Sequence, residues 1–136
     1  MMKRKRRAEY ELMKRIERIM EELNFSVDAI IVEGPHDEKA LRRYGYNGLI
    51  IRFCNSRKPI YRFTESIAEK FRGKRIAVLL DFDEEGEQIS KKLENELEEL
   101  GVKVFRHVRR ALRSILIREN IITIEGLTAL RRRAFG

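Results

Sequence analysis

Short apolar runs alternate with longer segments of helical periodicity along most of the chain. Four runs, at residues 28–32, 49–53, 76–80 and 102–105, are largely apolar and end abruptly at polar or charged residues. Runs of this length are typical of strands that are buried on both faces. The segments between them carry apolar residues at three- and four-residue spacing, as one face of a helix does. This alternation predicts an α/β fold with a parallel sheet of about four strands covered by helices.

Helical patterns also flank this region at both ends of the chain. The apolar stripe of the N-terminal helix consists of Leu12, Ile16, Ile19, Met20 and Leu23. We expect this helix to end at Asn24 and to pack on its own domain rather than on a second copy or a membrane surface, because its acidic residues oppose attraction to anionic lipid. Residues 121–130 predict a strand or turn followed by a short helix with a basic end.

A chain of 136 residues is long enough for one domain with a modest core. We predict an α/β domain at residues 26–108. A basic amphipathic helix at residues 1–25 is expected to pack on this domain, and residues 109–136 are expected to form a basic helical extension. Within the domain, helices are expected after Pro35, at residues 60–71 and at residues 84–100.

The composition is that of a globular protein, with 43% hydrophobic and 38% charged residues. The chain has one cysteine, Cys54, so an internal disulfide is excluded and a reducing cytoplasm is the simpler location. The basic N-terminus is not followed by the apolar stretch of a secretory signal. No apolar segment reaches the length that spans a bilayer, so we expect a cytoplasmic protein with no membrane contact.

The net charge of +8 is unevenly distributed, and residues 102–136 hold nine basic and two acidic side chains. A basic surface of this kind suits a polyanion such as a nucleic acid, whereas a solubilising surface charge is the simpler alternative. The cations predicted to contact phosphate lie at a helix start, in a polar loop and on an arginine-rich helix face. They are Lys39, Arg57, Lys58, Arg106 and Arg110.

Two aspartates, Asp81 and Asp83, follow the apolar run at residues 76–80, and three glutamates come within the next four residues. Carboxylates gathered this closely repel one another, so they gain protons or recruit a cation. An all-oxygen cluster suits a hard ion, which makes Mg²⁺ the expected cofactor and Mn²⁺ the alternative. The competing interpretation is structural: Asp83 caps the helix that begins near Glu84, and the acidic first turn complements the helix dipole.

A carboxylate also ends the run at residues 28–32, where Glu33 precedes a Gly-Pro pair. Right-handed crossovers bring the carboxyl ends of all parallel strands to the same edge of a sheet. Ligands bind at that edge in open α/β sheets. We therefore expect Glu33, Asp81 and Asp83 to lie together, with Arg106 and the polar loop at residues 55–58 nearby.

The motifs VEGPHD at residues 32–37 and LLDFDEEG at residues 79–86 resemble the Toprim domain. That family unites the catalytic domains of topoisomerases and bacterial-type primases with OLD-type nucleases and a ribonuclease that matures ribosomal RNA. Its signature is an apolar strand ending in Glu-Gly, with an Asp three residues past the Gly, followed by a later strand ending in Asp-x-Asp. Both halves are present in that order, and the resemblance covers about residues 26–108.

The resemblance implies a Toprim (Rossmann-like) fold and assigns roles to four carboxylates. Asp81 and Asp83 would bind magnesium, and Glu33 would share the metal or act as general acid or base toward the leaving oxygen. Asp37 matches the further Asp of the signature and would support the metal or a water molecule. Such a site stabilises charge on phosphoryl oxygens and activates or protonates an oxygen in line with them.

The implied function is a magnesium-dependent phosphodiester hydrolase or phosphotransfer protein that acts on RNA or DNA, as a nuclease does. The chain lacks the separate domain that carries a topoisomerase tyrosine, and it leaves no room for the further modules of a primase. Its size is closer to that of the small stand-alone Toprim proteins of archaea and bacteria. The alternatives are a non-catalytic Toprim-fold subunit or scaffold that binds nucleic acid, and a hydrolase of small nucleotides. The sequence leaves the oligomeric state open, including a homodimer or a larger complex.

Overall fold

The computed structural model describes the backbone of residues 2–55 and 59–135 and the side chains of residues 5–54 and 59–135. Arg57 and Lys58, two of the predicted phosphate contacts, lie outside the described residues. Strands and helices alternate over most of the described chain. They are α1 (Met2–Ser26), β1 (Ala29–Val32), α2 (Pro35–Arg43), β2 (Leu49–Arg52), α3 (Ile60–Phe71), β3 (Arg75–Val78), α4 (Glu84–Glu99), β4 (Lys103–Val104), α5 (His107–Arg118) and α6 (Leu127–Phe135).

The four strands form one parallel sheet in the order β2-β1-β3-β4, so the predicted fold class is confirmed. From β1 the chain crosses through α2 to β2 on one side. From β3 it crosses through α4 to β4 on the other side. The direction of winding therefore reverses between β1 and β3, and such a switch point is where open α/β sheets bind ligands.

Helices cover both faces of the sheet, which explains why the strands are continuously apolar. Alternate strand residues point to opposite faces. Ala29, Ile31, Ile76 and Val78 pack against α3 and α4 in one layer of the core. Ile30, Val32, Ala77 and Leu79 pack against the other helices in the second layer. The helix residues of that layer include Met13, Ile16, Met20, Leu41, Leu112, Leu116, Leu127 and Leu130.

The N-terminal helix packs on the sheet and contacts the C-terminal helix. The side chain of Arg133 on α6 forms an ion pair with Glu9 on α1, with 3.3 Å between Nε and Oε1. The hydroxyl of Tyr44 donates a hydrogen bond to the carbonyl of Leu127, which fixes the start of α6 against α2. No helix in the described part of the chain is both long enough and apolar enough to cross a membrane.

Several boundaries differ from the sequence prediction by one or two residues, most clearly the ends of α1 and β3. The N-terminal helix does not end at Asn24 but continues to Ser26, and the Asn24 side chain bonds to the turn after α2. The ladder of β3 ends at Val78, although the apolar run continues through Leu79 and Leu80, which are both buried. These two residues carry the chain across the core, so that Asp81 emerges at the sheet edge.

Candidate active site

The turn after β1 holds Glu33 and Asp37 on the same side of the sheet edge. Gly34 and Pro35 begin α2 directly after Glu33. Asp37 is buried, and its carboxylate accepts a hydrogen bond of 3.0 Å from the backbone amide of Gly34. The carbonyl of Glu33 accepts a hydrogen bond of 2.8 Å from the amide of Cys54, which joins this turn to the end of β2. The backbone around Glu33 is thus held from two sides, while its side chain remains exposed.

The loop after β3 holds Asp81 and Asp83. Asp83 is the N-cap of α4, because its Oδ1 accepts a hydrogen bond of 2.7 Å from the amide of Gly86. The capping interpretation of Asp83 is therefore confirmed. It does not exclude a ligand role, since a carboxylate has two oxygens and can accept several hydrogen bonds or bind a cation.

Glu33, Asp81, Asp83 and Glu85 line one pocket of about 340 Å³ at the switch point of the sheet. The remaining lining residues are Phe53, Leu80, Gly86 and Ile89. Residues 33 and 81 are distant in sequence, so the parallel topology alone brings them together. The structure thus brings together the three carboxylates that the sequence predicts at this edge.

Burial and mutual repulsion disturb the ionisation of these carboxylates. The pKa of Glu33 is raised although the residue as a whole is exposed, because its carboxylate is partly desolvated; the charges of Asp37, Asp81 and Glu85 add to this shift. The pKa of Asp37 is raised by burial, although the hydrogen bond from the Gly34 amide opposes this shift. The pKa of Asp81 is also raised by burial, against the hydrogen bond from the Ile124 amide. A cluster of this kind favours protons or a cation.

The segment between α5 and α6 closes over the Asp81 loop, which the sequence did not predict. The amide of Ile124 donates a hydrogen bond of 2.9 Å to Oδ1 of Asp81. The amide of Phe82 donates a hydrogen bond of 2.6 Å to the carbonyl of Ile122. Glu125 lies close enough to raise the pKa of both Asp37 and Asp81. A lone glutamate in an apolar segment gives no sequence signal for such a position.

Arg109 is a second residue at the site that the sequence does not single out, because it is one of several arginines at residues 106–113. Its side chain is only 6% exposed. It donates hydrogen bonds to the carbonyls of Leu80 and Asp81, and one of 2.9 Å to Glu87. Its guanidinium also lies over the ring of Phe82, 4.7 Å from the centroid. Arg109 therefore holds the backbone from which Asp81 projects.

The three predicted phosphate contacts that the structure describes, Lys39, Arg106 and Arg110, are not among the residues that line the carboxylate pocket. Arg106 bonds to Glu94, Asn95 and Glu98 on α4. Arg110 is exposed and lines a separate pocket between α4 and α5. Lys39 lines another pocket beside α6, together with His36, Arg43 and Arg132. The described cations thus flank the carboxylates on two sides, and their role as phosphate contacts stays a prediction.

A family model for the Toprim domain matches residues 28–111. The chain belongs to the Toprim family. This domain is a fold associated with metal binding and with nucleic acids. The matched residues include both carboxylate motifs and Arg109, but the segment that contains Ile124 and Glu125 lies beyond them.

The similarity of this Toprim protein to its relatives extends over most of the chain. The UPF0292 protein of Pyrococcus abyssi is 40% identical over 111 residues, which are 82% of this chain and 80% of that protein. The UPF0292 protein of Methanocaldococcus jannaschii is 32% identical over 124 residues, which are 90% of this chain and 92% of that protein. A solved structure of a protein from Aquifex aeolicus has a TM-score of 0.59 and 27% identity, covering 85% of this chain and 94% of that chain. Both UPF0292 alignments are longer than the 28–111 match, so the similarity includes flanking residues.

The donor set of this Toprim site suits magnesium, because carboxylate oxygens are the ligands that this ion prefers. Asp37, Asp81 and Asp83 each use an oxygen in a hydrogen bond from a backbone amide. Within residues 2–55 and 59–135, no three His, Cys, Asp or Glu side chains are arranged to hold one ion. The oxygen chemistry thus fits a hard cation, and joint ligation by Glu33, Asp81 and Asp83 requires rotation of their side chains.

Replacing Gly86 should displace the Asp81 loop, because a Cβ at this buried position would overlap the carbonyl of Asp81. We expect Gly86→Ala to lower the free energy of unfolding by about 1–3 kcal/mol, as overpacking of a filled site does. Urea denaturation measures this change. The matched control is Gln88→Ala, an exposed position on the same helix, which should change stability by less than about 0.5 kcal/mol. Equal stability of the two variants would show that the loop tolerates the methyl group.

Proposed function

We propose that this Toprim protein is a magnesium-dependent phosphodiester hydrolase or phosphotransfer enzyme that acts on nucleic acid. The observation that carries the proposal is the pocket at the switch point, where Glu33 from the end of β1 meets Asp81 and Asp83 from the end of β3. A purely structural role does not require these mutually repelling carboxylates at an open sheet edge. The flanking cations support a polyanionic substrate.

The roles of the carboxylates follow from their surroundings. Asp81 and Asp83 would hold Mg²⁺, or Mn²⁺ in its place, through oxygens that are not engaged with backbone amides. Bound there, the ion supplies charge neutralisation at the phosphoryl oxygens. Glu33 is exposed and its pKa is raised, so it is suited to accept or donate a proton at an oxygen of the substrate. Asp37 holds the Gly34 amide and thereby positions the turn that carries Glu33.

The proposal is tested by cleavage of labelled structured RNA, single-stranded DNA and duplex DNA in the presence of Mg²⁺ or Mn²⁺. We expect Glu33→Gln to lower the rate by about 10²–10⁴-fold, the range measured for loss of a general acid or base. The control is Glu99→Gln, at an exposed carboxylate at the end of α4, which should leave the rate unchanged.

Two outcomes would contradict the proposal that the protein is an enzyme. One is the absence of cleavage by the parent protein across the whole panel with both ions. The other is cleavage that Glu33→Gln retains in full, which would assign the activity to a different site or to a contaminant.

One observation favours the alternative, a Toprim-fold subunit or scaffold that binds nucleic acid without cutting it. Asp81, Asp83 and Asp37 already have partners in backbone amides, so each has a structural role without a metal. In that case the parent protein would bind nucleic acid with a strong dependence on salt, and an Asp81→Ala, Asp83→Ala double variant would bind equally well. Fluorescence anisotropy at several salt concentrations makes this comparison.

A further inference from the structure

A second pocket lies between α4 and α5, on the far side of Arg109 from the carboxylates. Its volume is about 390 Å³, and it is lined by residues of both helices and by Arg106, which directly precedes α5. Its cations are Lys91, Arg106, Arg109, Arg110 and Arg113. Its carboxylates are Glu87 and Glu94. Positive charge therefore exceeds negative charge, in contrast to the pocket at the sheet edge.

Two polar atoms of this pocket have no hydrogen-bond partner among the described residues. They are Oγ of Ser90 and Oε2 of Glu94. Ser90 is 1% exposed and Glu94 is 6% exposed, so both belong to the floor of the pocket. The two residues are four positions apart on α4 and thus lie on the same helix face. Buried polar groups in native proteins nearly always have partners, so this pair requires an explanation.

The cations of the pocket differ in how far they are already neutralised. All three guanidinium nitrogens of Arg106 bond to residues of α4. Arg113 uses Nε toward Glu87, at 3.3 Å. In the described structure the side chains of Arg110 and Lys91 form no ion pair, and both are exposed at the mouth of the pocket. Arg110, Lys91 and the hydroxyl of Ser90 can therefore donate hydrogen bonds to a ligand, and Oε2 of Glu94 can accept one.

A ligand that satisfies this set must accept several hydrogen bonds and also donate one to a carboxylate. A phosphomonoester does both, because its second pKa is about 6 and a fraction of it carries a P–OH group near neutral pH. A phosphodiester and sulfate have no such proton. We propose that the pocket between α4 and α5 binds a phosphomonoester group, with Arg110, Lys91 and Ser90 on its oxygens and Glu94 on its hydroxyl.

Two sources can supply this group: inorganic phosphate or a free nucleotide, and the terminal phosphate of a nucleic-acid strand. Binding of a strand end depends on the proposed function, and it would make the pocket a recognition site for nucleic-acid ends close to the carboxylates. Binding of free phosphate does not depend on the proposed function. Arg109 lies between the two pockets and bonds to the carbonyls of Leu80 and Asp81, so the pocket adjoins the Asp81 loop in either case.

The test is calorimetric titration of the full chain in EDTA, so that neither a metal nor turnover is needed. The probes are inorganic phosphate, sulfate at matched ionic strength, and a short DNA strand with a 5′-phosphate, a 3′-phosphate or hydroxyls at both ends. We expect phosphate to bind about tenfold more tightly than sulfate, the size of one hydrogen bond to a charged group. Tighter binding of a phosphorylated strand than of the hydroxyl-ended strand would assign the strand end, and equal binding of the strands would assign free phosphate.

Three variants tie the binding to this pocket. Ser90→Ala and Arg110→Ala should each weaken phosphate binding by about tenfold. Ser90→Ala removes a buried hydroxyl that has no described partner, so the variant should unfold at the same or higher urea concentration than the parent. Glu94→Gln should reduce the preference for phosphate over sulfate. The matched control is Arg118→Ala, an exposed arginine at the end of α5, which should bind as the parent does.

The proposal is overturned if none of the phosphates binds, or if phosphate and sulfate bind equally and the variants have no effect. Equal binding that no variant affects would mean an adventitious ion only. In either outcome an ordered water explains Ser90 and Glu94. A parent protein that binds phosphate but cleaves no nucleic acid keeps this inference and rejects the proposed function. A parent protein that cleaves nucleic acid but binds no phosphate supports the proposed function and rejects this inference.

Discussion

Asp81→Asn should strongly reduce the rate of metal-dependent cleavage and at the same time increase the stability of the fold. The variant removes the negative charge that would hold magnesium, and several kcal/mol of transition-state stabilisation depend on such an ion. Because each 1.36 kcal/mol is a factor of ten, we expect a loss on the order of a thousandfold. The amide oxygen of Asn can still accept the hydrogen bond from Ile124, so the loop should keep its position.

The gain in stability follows from the direction of the pKa shift. Burial raises the pKa of Asp81 above its ordinary value of 3.8, so the folded state holds the proton more tightly than the unfolded chain does. The stabilisation that protonated Asp81 contributes to the fold is fully present below pH 3.8, and it is lost as the pH rises through the raised pKa of the folded state. At neutral pH the parent protein therefore contains an unfavourable charge, and its removal should add roughly 0.5–1 kcal/mol, as for a partly exposed charge pair.

Urea denaturation in EDTA at several pH values measures this difference. The variant should be more stable than the parent at pH 7, and the two should converge at acid pH, where Asp81 is protonated. Added Mg²⁺ should raise the stability of the parent but not of the variant, since only the parent gains a bound ligand in its folded state. Loss of stability in Asp81→Asn at pH 7 would mean that the charge itself holds the loop together.

The carboxylate pocket could be predicted from the sequence because its carboxylates directly follow apolar runs, and the parallel topology of the sheet brings the ends of those runs together. The runs that became β1 and β3 end at carboxylates, and parallel strands bring their carboxyl ends to one edge. The chain order then places Glu33 beside Asp81 without any knowledge of side-chain contacts. The motif spacing that resembles the Toprim signature added the expected chemistry. Asp83 shows the limit of this reasoning, since it satisfies the capping pattern and lines the pocket as well.

Arg109 and the segment around Ile124 could not be predicted in the same way. In the sequence, Arg109 is one of several arginines on a helix, and only the packing of α5 against the Asp81 loop distinguishes it from exposed Arg110 and Arg113. Ile124 acts through its backbone amide, which has no sequence signature at all. These contacts depend on tertiary structure. The end of α1 does too, because the side chain of Asn24 hydrogen-bonds to Gly45 and Asn47 instead of ending the helix.

Arg109→Ala should be the most destabilising of the substitutions considered, because the side chain is buried and all its partners are buried or half-buried. Its removal leaves the carbonyls of Leu80 and Asp81 without this donor, and it takes from the carboxylate of Glu87 one of its two arginine partners. Loss of one member of a buried ion pair costs about 3–5 kcal/mol, and because the side chain of Glu87 is 38% exposed we expect the lower end of this range, about 3 kcal/mol. Since small proteins are stable by about 5–15 kcal/mol in total, this is a large fraction of the whole. Urea denaturation at pH 7 measures it directly.

Arg113→Ala is a matched control, because Arg113 lies one turn further along α5 and contacts the same carboxylate of Glu87. Its side chain is 49% exposed, so its removal should cost at most about 1 kcal/mol. Arg109→Lys keeps the charge but not the planar pair of terminal nitrogens that reach two carbonyls and a carboxylate, so it should recover only part of the loss. A cost for Arg109→Ala as small as that for Arg113→Ala would show that the Asp81 loop is held by Ile122 and Ile124 alone. A large cost would mean that α5 sets the position of Asp81, although Arg109 is not itself a predicted ligand.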